Sequence, residues 1–138
     1  MKKSILILFC LIISCVYLFQ LENDKKLPEK IETELNSKNK TVDFEEIIDF
    51  DWNSLIILGP YTTIENVEEE FNLNLANIRQ NGIHYSDYYD LLVFLKEKKS
   101  VKIAEFNRRF SSNSHRKIIK KEKSKFKTGD DRIINLIE

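Results

Sequence analysis

Hydrophobic positions along this chain fall into blocks of different period, and each block predicts a different element. The first is unbroken: residues 4–21, "SILILFCLIISCVYLFQL", carry no charge over 18 positions. At ~1.5 Å per residue such a run makes a helix of about 27 Å, near the ~30 Å hydrocarbon core of a bilayer. The second block is sparse. In residues 22–40, Leu27, Ile31 and Leu35 recur every fourth position among polar residues, with Pro28 suited to a first helical turn. That spacing predicts a short amphipathic helix, either packed on the rest of the chain or serving as a polar spacer.

The third block, "SLIILGPYTTIENVEEEF", reads as strand, corner, helix. Residues 55–58 are a short apolar run of the kind found in buried strands. Gly59 frees the backbone, and Pro60 fixes its own φ and donates no hydrogen bond, so the strand stops there. Thr62 and Glu65 have capping-box spacing, and Ile64, Val67 and Phe71 share one helical face, predicting a helix over 63–72. The fourth block, "DLLVFLKEKKSVKIAEFNRR", predicts a β-hairpin over 91–107 with a polar four-residue loop at 96–99 and one buried face. Further on, "KEKSKFKTGD" suits an edge strand protected by lysines, and "RIINLIE" a last strand or docking segment.

Together these blocks predict an α+β fold: a small antiparallel sheet with one or two covering helices, preceded by an N-terminal membrane anchor or signal segment. The expected division is 1–21 for the leader, 22–40 for the spacer or short helix, and 41–138 for an exported domain.

Charge refines this picture through its distribution. The chain has 22 Lys or Arg and 22 Asp or Glu, so its net charge names no partner. Residues 41–78 nevertheless hold nine acids and no Lys or Arg, whereas residues 96–127 hold thirteen Lys or Arg and three Glu. The folded domain is expected to be electrically polarised.

Lys2 and Lys3 ahead of the apolar run give the charged and hydrophobic regions of an export signal, with the positive flank inside. A cleaved signal needs small residues at its cleavage site, and residues 16–21 offer none. Two readings remain: an uncleaved anchor, or a lipoprotein signal in which "IISC" presents Cys15 for lipidation. Either places the domain at the extracytoplasmic face of the cell membrane. Both cysteines, Cys10 and Cys15, lie in this leader. The domain thus has no disulfide, no Cys-based zinc site and no thiol nucleophile.

The order Phe50-Asp51-Trp52, apolar strand, Gly59-Pro60-Tyr61-Thr62, helix and then "LLVFLKEKKSV" resembles a group of small, uncharacterised membrane-anchored or lipoprotein-type proteins of Gram-positive bacteria. Their pattern is F-D-W-D followed at a fixed distance by P-Y-T, and here Asn53 stands in place of the second acid. The resemblance implies an exported location and supplies no activity.

Four constellations were weighed for chemistry. The helix start at Thr62 has the free N–H groups of an anion site, but Glu65, Glu68, Glu69 and Glu70 already satisfy the helix dipole, so the corner reads as architecture first. Glu45, Glu46, Asp49 and Asp51 lie too close in sequence to face each other across a glycosidic bond. "NGIHYSDYYD" gathers His84, Asp87 and the rings of Tyr85, Tyr88 and Tyr89, which suits sugar stacking or a protein anchor better than a metal. The basic stretch 108–127, which includes His115, suits an anionic wall polymer or lipid headgroups better than nucleic acid.

The expectation is a non-enzymatic cell-envelope protein that binds a protein or wall component, with Trp52, Tyr61, Tyr85, Tyr88 and Tyr89 as candidate binding residues. No catalytic residue, metal or cofactor is assigned. The alternative is an exported hydrolase using an acid such as Asp51 or Asp87.

Overall fold

The computed structural model describes residues 19–137 together with Ile5, Ile7 and Cys10. The anchor and lipoprotein readings of residues 1–21, and the lipidation candidate Cys15, fall largely outside the described residues. Among those described, no helix is long and apolar enough to cross a membrane.

The chain order is α1 (Lys26–Leu35), β1 (Thr41–Asp43), α2 (Phe44–Ile47), β2 (Ser54–Leu58), α3 (Ile64–Phe71), β3 (Tyr89–Lys96), β4 (Lys99–Asn107), β5 (Ile119–Lys120), β6 (Lys125–Thr128) and β7 (Ile134–Leu136), with short 3-10 turns in the connections. The class is α+β. The single expected sheet is two: a four-stranded sheet in the order β4-β3-β2-β5 and a three-stranded sheet in the order β1-β6-β7, both antiparallel.

The larger sheet is buried on both faces, which explains why β2 and β3 read as continuous apolar runs. On one face Leu55, Ile57, Leu92 and Phe94 meet α1, α2 and the small sheet through Leu27, Ile31, Phe44 and Phe126. On the other, Ile56, Leu58, Leu91 and Val93 meet α3 through Ile64 and Val67. The hairpin, expected to bury one face, is therefore the middle of a three-layer sandwich. Segment 22–40 is likewise no free spacer. Leu27, Ile31 and Leu35 are buried, and Asp24 N–H donates to the Ile103 carbonyl at 2.9 Å along β4.

Local details depart from the sequence expectation for identifiable reasons. The β3–β4 loop is a two-residue turn, because Lys96 pairs Lys99 and both Glu97 (φ 47°) and Lys98 (φ 69°) take left-handed backbone. This is the conformation that matches strand twist in tight hairpins, here adopted without glycine. Val101 is then accommodated by a register shift on β4. The predicted edge strand, β6, sits in the middle of its sheet with Phe126 buried and its lysines outward. The capping box is not formed. Thr62 is buried and its hydroxyl donates to the Gly59 carbonyl at 2.6 Å, so Thr63 becomes the N-cap of α3 without a side-chain cap bond.

Candidate functional site

The corner after β2 is where the functional side chains gather. Pro60 and Tyr61 carry the turn, and Tyr61 takes φ 59°, a left-handed conformation that a bulky residue rarely adopts. Its N–H donates to the Ile83 carbonyl at 3.0 Å, tying the corner to the tyrosine-rich connection before β3. The ring projects outward, 63% exposed, and Tyr85 and Tyr88 in the adjoining connection are each 82% exposed. Three exposed tyrosines thus lie on two segments joined by backbone hydrogen bonds.

The other two candidate aromatics sit differently. Trp52 is buried, edge-on to Phe94 at 5.2 Å, with the Lys121 ammonium 5.5 Å from its ring centroid. Tyr89 is half-buried and donates its hydroxyl to Asn81 Oδ1 at 3.0 Å. Burial, reinforced by the nearby Glu105 charge and opposed by the Asn81 bond, pushes its phenol up to about 12.

Beside the Tyr61 corner lies a cleft of about 670 Å³ between the Gly59 turn and the segment that follows β4. Arg108, Arg109, His115 and Arg116 line it, together with Thr63 and Asn66 of the start of α3; no Asp or Glu does. Under the cleft is an arrangement that sequence distance conceals. Asp90, fully buried at the start of β3, accepts the backbone N–H groups of Arg109 (3.1 Å) and Phe110 (3.0 Å) on Oδ2. Its Oδ1 stands 3.1 Å from Nε2 of His115. That is ion-pair distance, although the two atoms are not aligned for a hydrogen bond.

His115 in turn rests on Gly59. A Cβ at Gly59 would come 2.8 Å from Nδ1 and 3.0 Å from Cε1 of the ring. Gly59 is needed for this close approach, rather than for an unusual φ. Gly59→Ala is expected to push the imidazole off Asp90 and to cost about 1–3 kcal/mol through overpacking. A urea titration followed by circular dichroism measures the change, and an unchanged midpoint would show that the ring has room to move.

The arginines are fixed from outside the cleft. Arg109 Nη1 donates to both carboxylate oxygens of Glu32 on α1 (2.6 and 2.8 Å), and its Nε donates to the Arg132 carbonyl. Arg116 pairs with Glu70 at the far end of α3. Arg108 is exposed and makes no ion pair among the described residues.

The acids of the hydrolase alternative are elsewhere. Asp51 is exposed and bound to Lys96 at 2.8 Å, Asp87 is exposed, and neither lines the cleft. Glu45, Glu46 and Asp49 are exposed as well. His84 stacks against Tyr85 at 3.7 Å between ring centroids. Among the described residues, no group of three or more His, Cys, Asp or Glu is placed to hold a metal.

Nothing in the sequence connects Asp90, His115 and Gly59: His115 is far along the chain in a basic run, and Asp90 ends the tyrosine-rich stretch. The only legible signals were the Gly-Pro corner and the Arg108-Arg109 pair ending the hairpin. Comparison with family models, with curated proteins and with solved structures finds no match to the chain.

Proposed function

We propose that this chain is a non-enzymatic cell-envelope protein, tethered at the outer face of the cytoplasmic membrane by its N-terminal segment, whose domain binds a protein or wall component. One observation carries the reading: Tyr61, Tyr85 and Tyr88 are large, exposed rings on adjoining segments held by backbone hydrogen bonds. Rigid aromatic side chains supply contact area at small entropic cost and serve well as anchors for partners and sugars. A hydrolase needs convergent acids in a concave site, and the carboxylates of the alternative are exposed and dispersed.

The described end of the leader runs beside the large sheet: Leu21 N–H donates to the Asn77 carbonyl at 2.7 Å, Phe19 and Gln20 lie beside Asn74 and Lys99, and Gln20 and Leu21 share a cavity with Asn81 and Gly82 at the start of the tyrosine connection. The cleft opens at the other end of the sheet, past Leu58 and Asn107.

The test is sedimentation of the full chain, in non-ionic detergent, with isolated cell walls. The unmodified chain is expected to co-sediment, and Tyr85→Ala/Tyr88→Ala to lose most of that retention, at least tenfold, as loss of two anchor rings predicts. Asp51→Asn and Asp87→Asn should retain it. Retention that survives loss of both rings but disappears with either Asp substitution would reverse the reading.

A further inference from the structure

The cleft beside the Gly59 turn takes four basic side chains and no acidic one from a chain whose formal charge sums to zero. So one-sided a lining concentrates anions from solution. Glu32 and Glu70 pair with Arg109 and Arg116 from outside the lining, and Asp90 lies buried beneath His115, so among the described residues Arg108 carries the cleft's unpaired positive charge.

The acids of α3 had suggested that its N-terminus repels anions, and the structure shows where they go instead. Glu68 accepts the Leu75 N–H and pairs with Arg79, Glu70 turns to Arg116, and none of the helix's glutamates lines the cleft. Meanwhile Thr63 and Asn66 of the same helix start do line it, and no side chain caps the first turn. Its N–H donors are thus open on the cleft side.

The geometry points to this cleft as a binding site for a phosphate group borne by a soluble or polymeric ligand. Donors reach it from separate directions: Arg108 and Arg116 from the segment after β4, and the first turn of α3 across from them. A tetrahedral phosphate offers oxygens in several directions at once, whereas a carboxylate offers two in one plane. Among the described residues Arg108 has its whole guanidinium fork free of ion pairs, and Arg116 is bound to Glu70 through one nitrogen only. Tyr61 at the rim adds an aromatic face for whatever carries the phosphate, such as a sugar or polyol.

The position argues for a polymer or free ester over a lipid headgroup. Phe19 lies beside Lys99 at one end of β4 and the cleft opens past Asn107 at the other, about 26 Å away at ~3.3 Å per residue. This assignment rests on the reading of the domain as a binding module, and it names the chemistry of one ligand.

The experiment is a titration of the isotopically labelled full chain in non-ionic detergent, followed by backbone and arginine side-chain magnetic resonance at constant ionic strength. Inorganic phosphate and glycerol phosphate are the soluble probes, and phosphatidylglycerol mixed into the micelle is the lipid probe. Saturable shifts at Thr63, Asn66 and the Arg108 side chain are expected with the soluble probes. Arg108→Gln, at an exposed and unpaired position, should weaken binding about tenfold, the loss of one charge-assisted contact. Arg108→Gln/Arg116→Gln should abolish saturation while leaving resonances elsewhere unmoved.

Absence of saturation, or equal saturation in the double variant, overturns the site. Saturation by phosphatidylglycerol alone overturns the soluble source. Tyr85→Ala/Tyr88→Ala should leave the phosphate titration intact. Phosphate uptake without wall retention would then leave the site standing and remove the envelope-binding reading, and wall retention without phosphate uptake would do the reverse.

Discussion

Asp90→Ala is expected to destabilise the domain by about 2–5 kcal/mol, because it leaves two buried backbone donors without an acceptor at ~1–3 kcal/mol each. The Arg109 and Phe110 N–H groups both bond to Oδ2 of this fully buried carboxylate, and the Ile134 N–H in turn bonds to the Arg109 carbonyl at 2.7 Å. Asp90 thereby fixes the segment that leaves β4 and the attachment of β7 to it. Asp90→Asn separates the two roles of the side chain. Its amide oxygen still accepts both N–H groups, but the charge facing His115 is gone, so a smaller loss of about 1–2 kcal/mol is expected. Urea denaturation with an unchanged m-value measures both. If the alanine variant unfolded at the original midpoint, the carboxylate would be a bystander and the cleft would owe its shape to something else.

Phe94→Ala is expected to cost about 3–5 kcal/mol, the range for deleting a large aromatic from a packed core. Phe94 lies within β3 and faces three other rings: Phe50 and Trp52 edge-on at 5.2 Å each, and Phe44 at 6.2 Å. Those neighbours sit on α2 and on the connection between α2 and β2, separate segments that cannot collapse inward together, so most of the cavity should persist. Trp52 is the chain's one tryptophan, and its intrinsic fluorescence reports the change directly. The expected result is a lower urea midpoint together with emission displaced to longer wavelength as the indole loses its apolar cover. An unchanged midpoint would mean that the four-ring cluster adds little beyond its neighbours.

The two variants probe different layers of legibility. Phe94 lies in an apolar run that announced a buried strand from sequence, and the structure puts it there. Asp90 ends a tyrosine-rich stretch and gave no hint of burial, because its partners are backbone amides of residues that follow the next strand. Trp52 shows the intermediate case. The sequence offers it as a candidate binding aromatic, and its burial against Phe94 and Lys121 comes from distant parts of the chain.

The same contrast runs through the elements. α3 and the β3–β4 hairpin were legible because helical and strand periods are local properties of side-chain spacing. The hairpin loop came out two residues long instead of four because register is set by pairing across strands, and Lys96 finds Lys99 opposite it. The pairing of the second sheet is not legible in the sequence. β6 and β7 fall in segments expected as strands, but the three-residue β1 carries no pattern long enough to announce itself, and no local pattern says that β6 lies between the other two.

By itself, the sequence determined the α+β class, the strand-corner-helix unit and the hairpin, since each follows from the order of apolar and polar residues over a few turns. Only the tertiary structure decided that the large sheet is covered on both faces, that Thr62 turns inward instead of capping, and that Gly59, Asp90, His115 and the arginines meet around one cleft. The physical reason is that local pattern specifies which side of an element is buried, whereas a site built from separate elements depends on which buried sides face each other. That choice is made by packing many contacts at once, and no short window of the chain contains it.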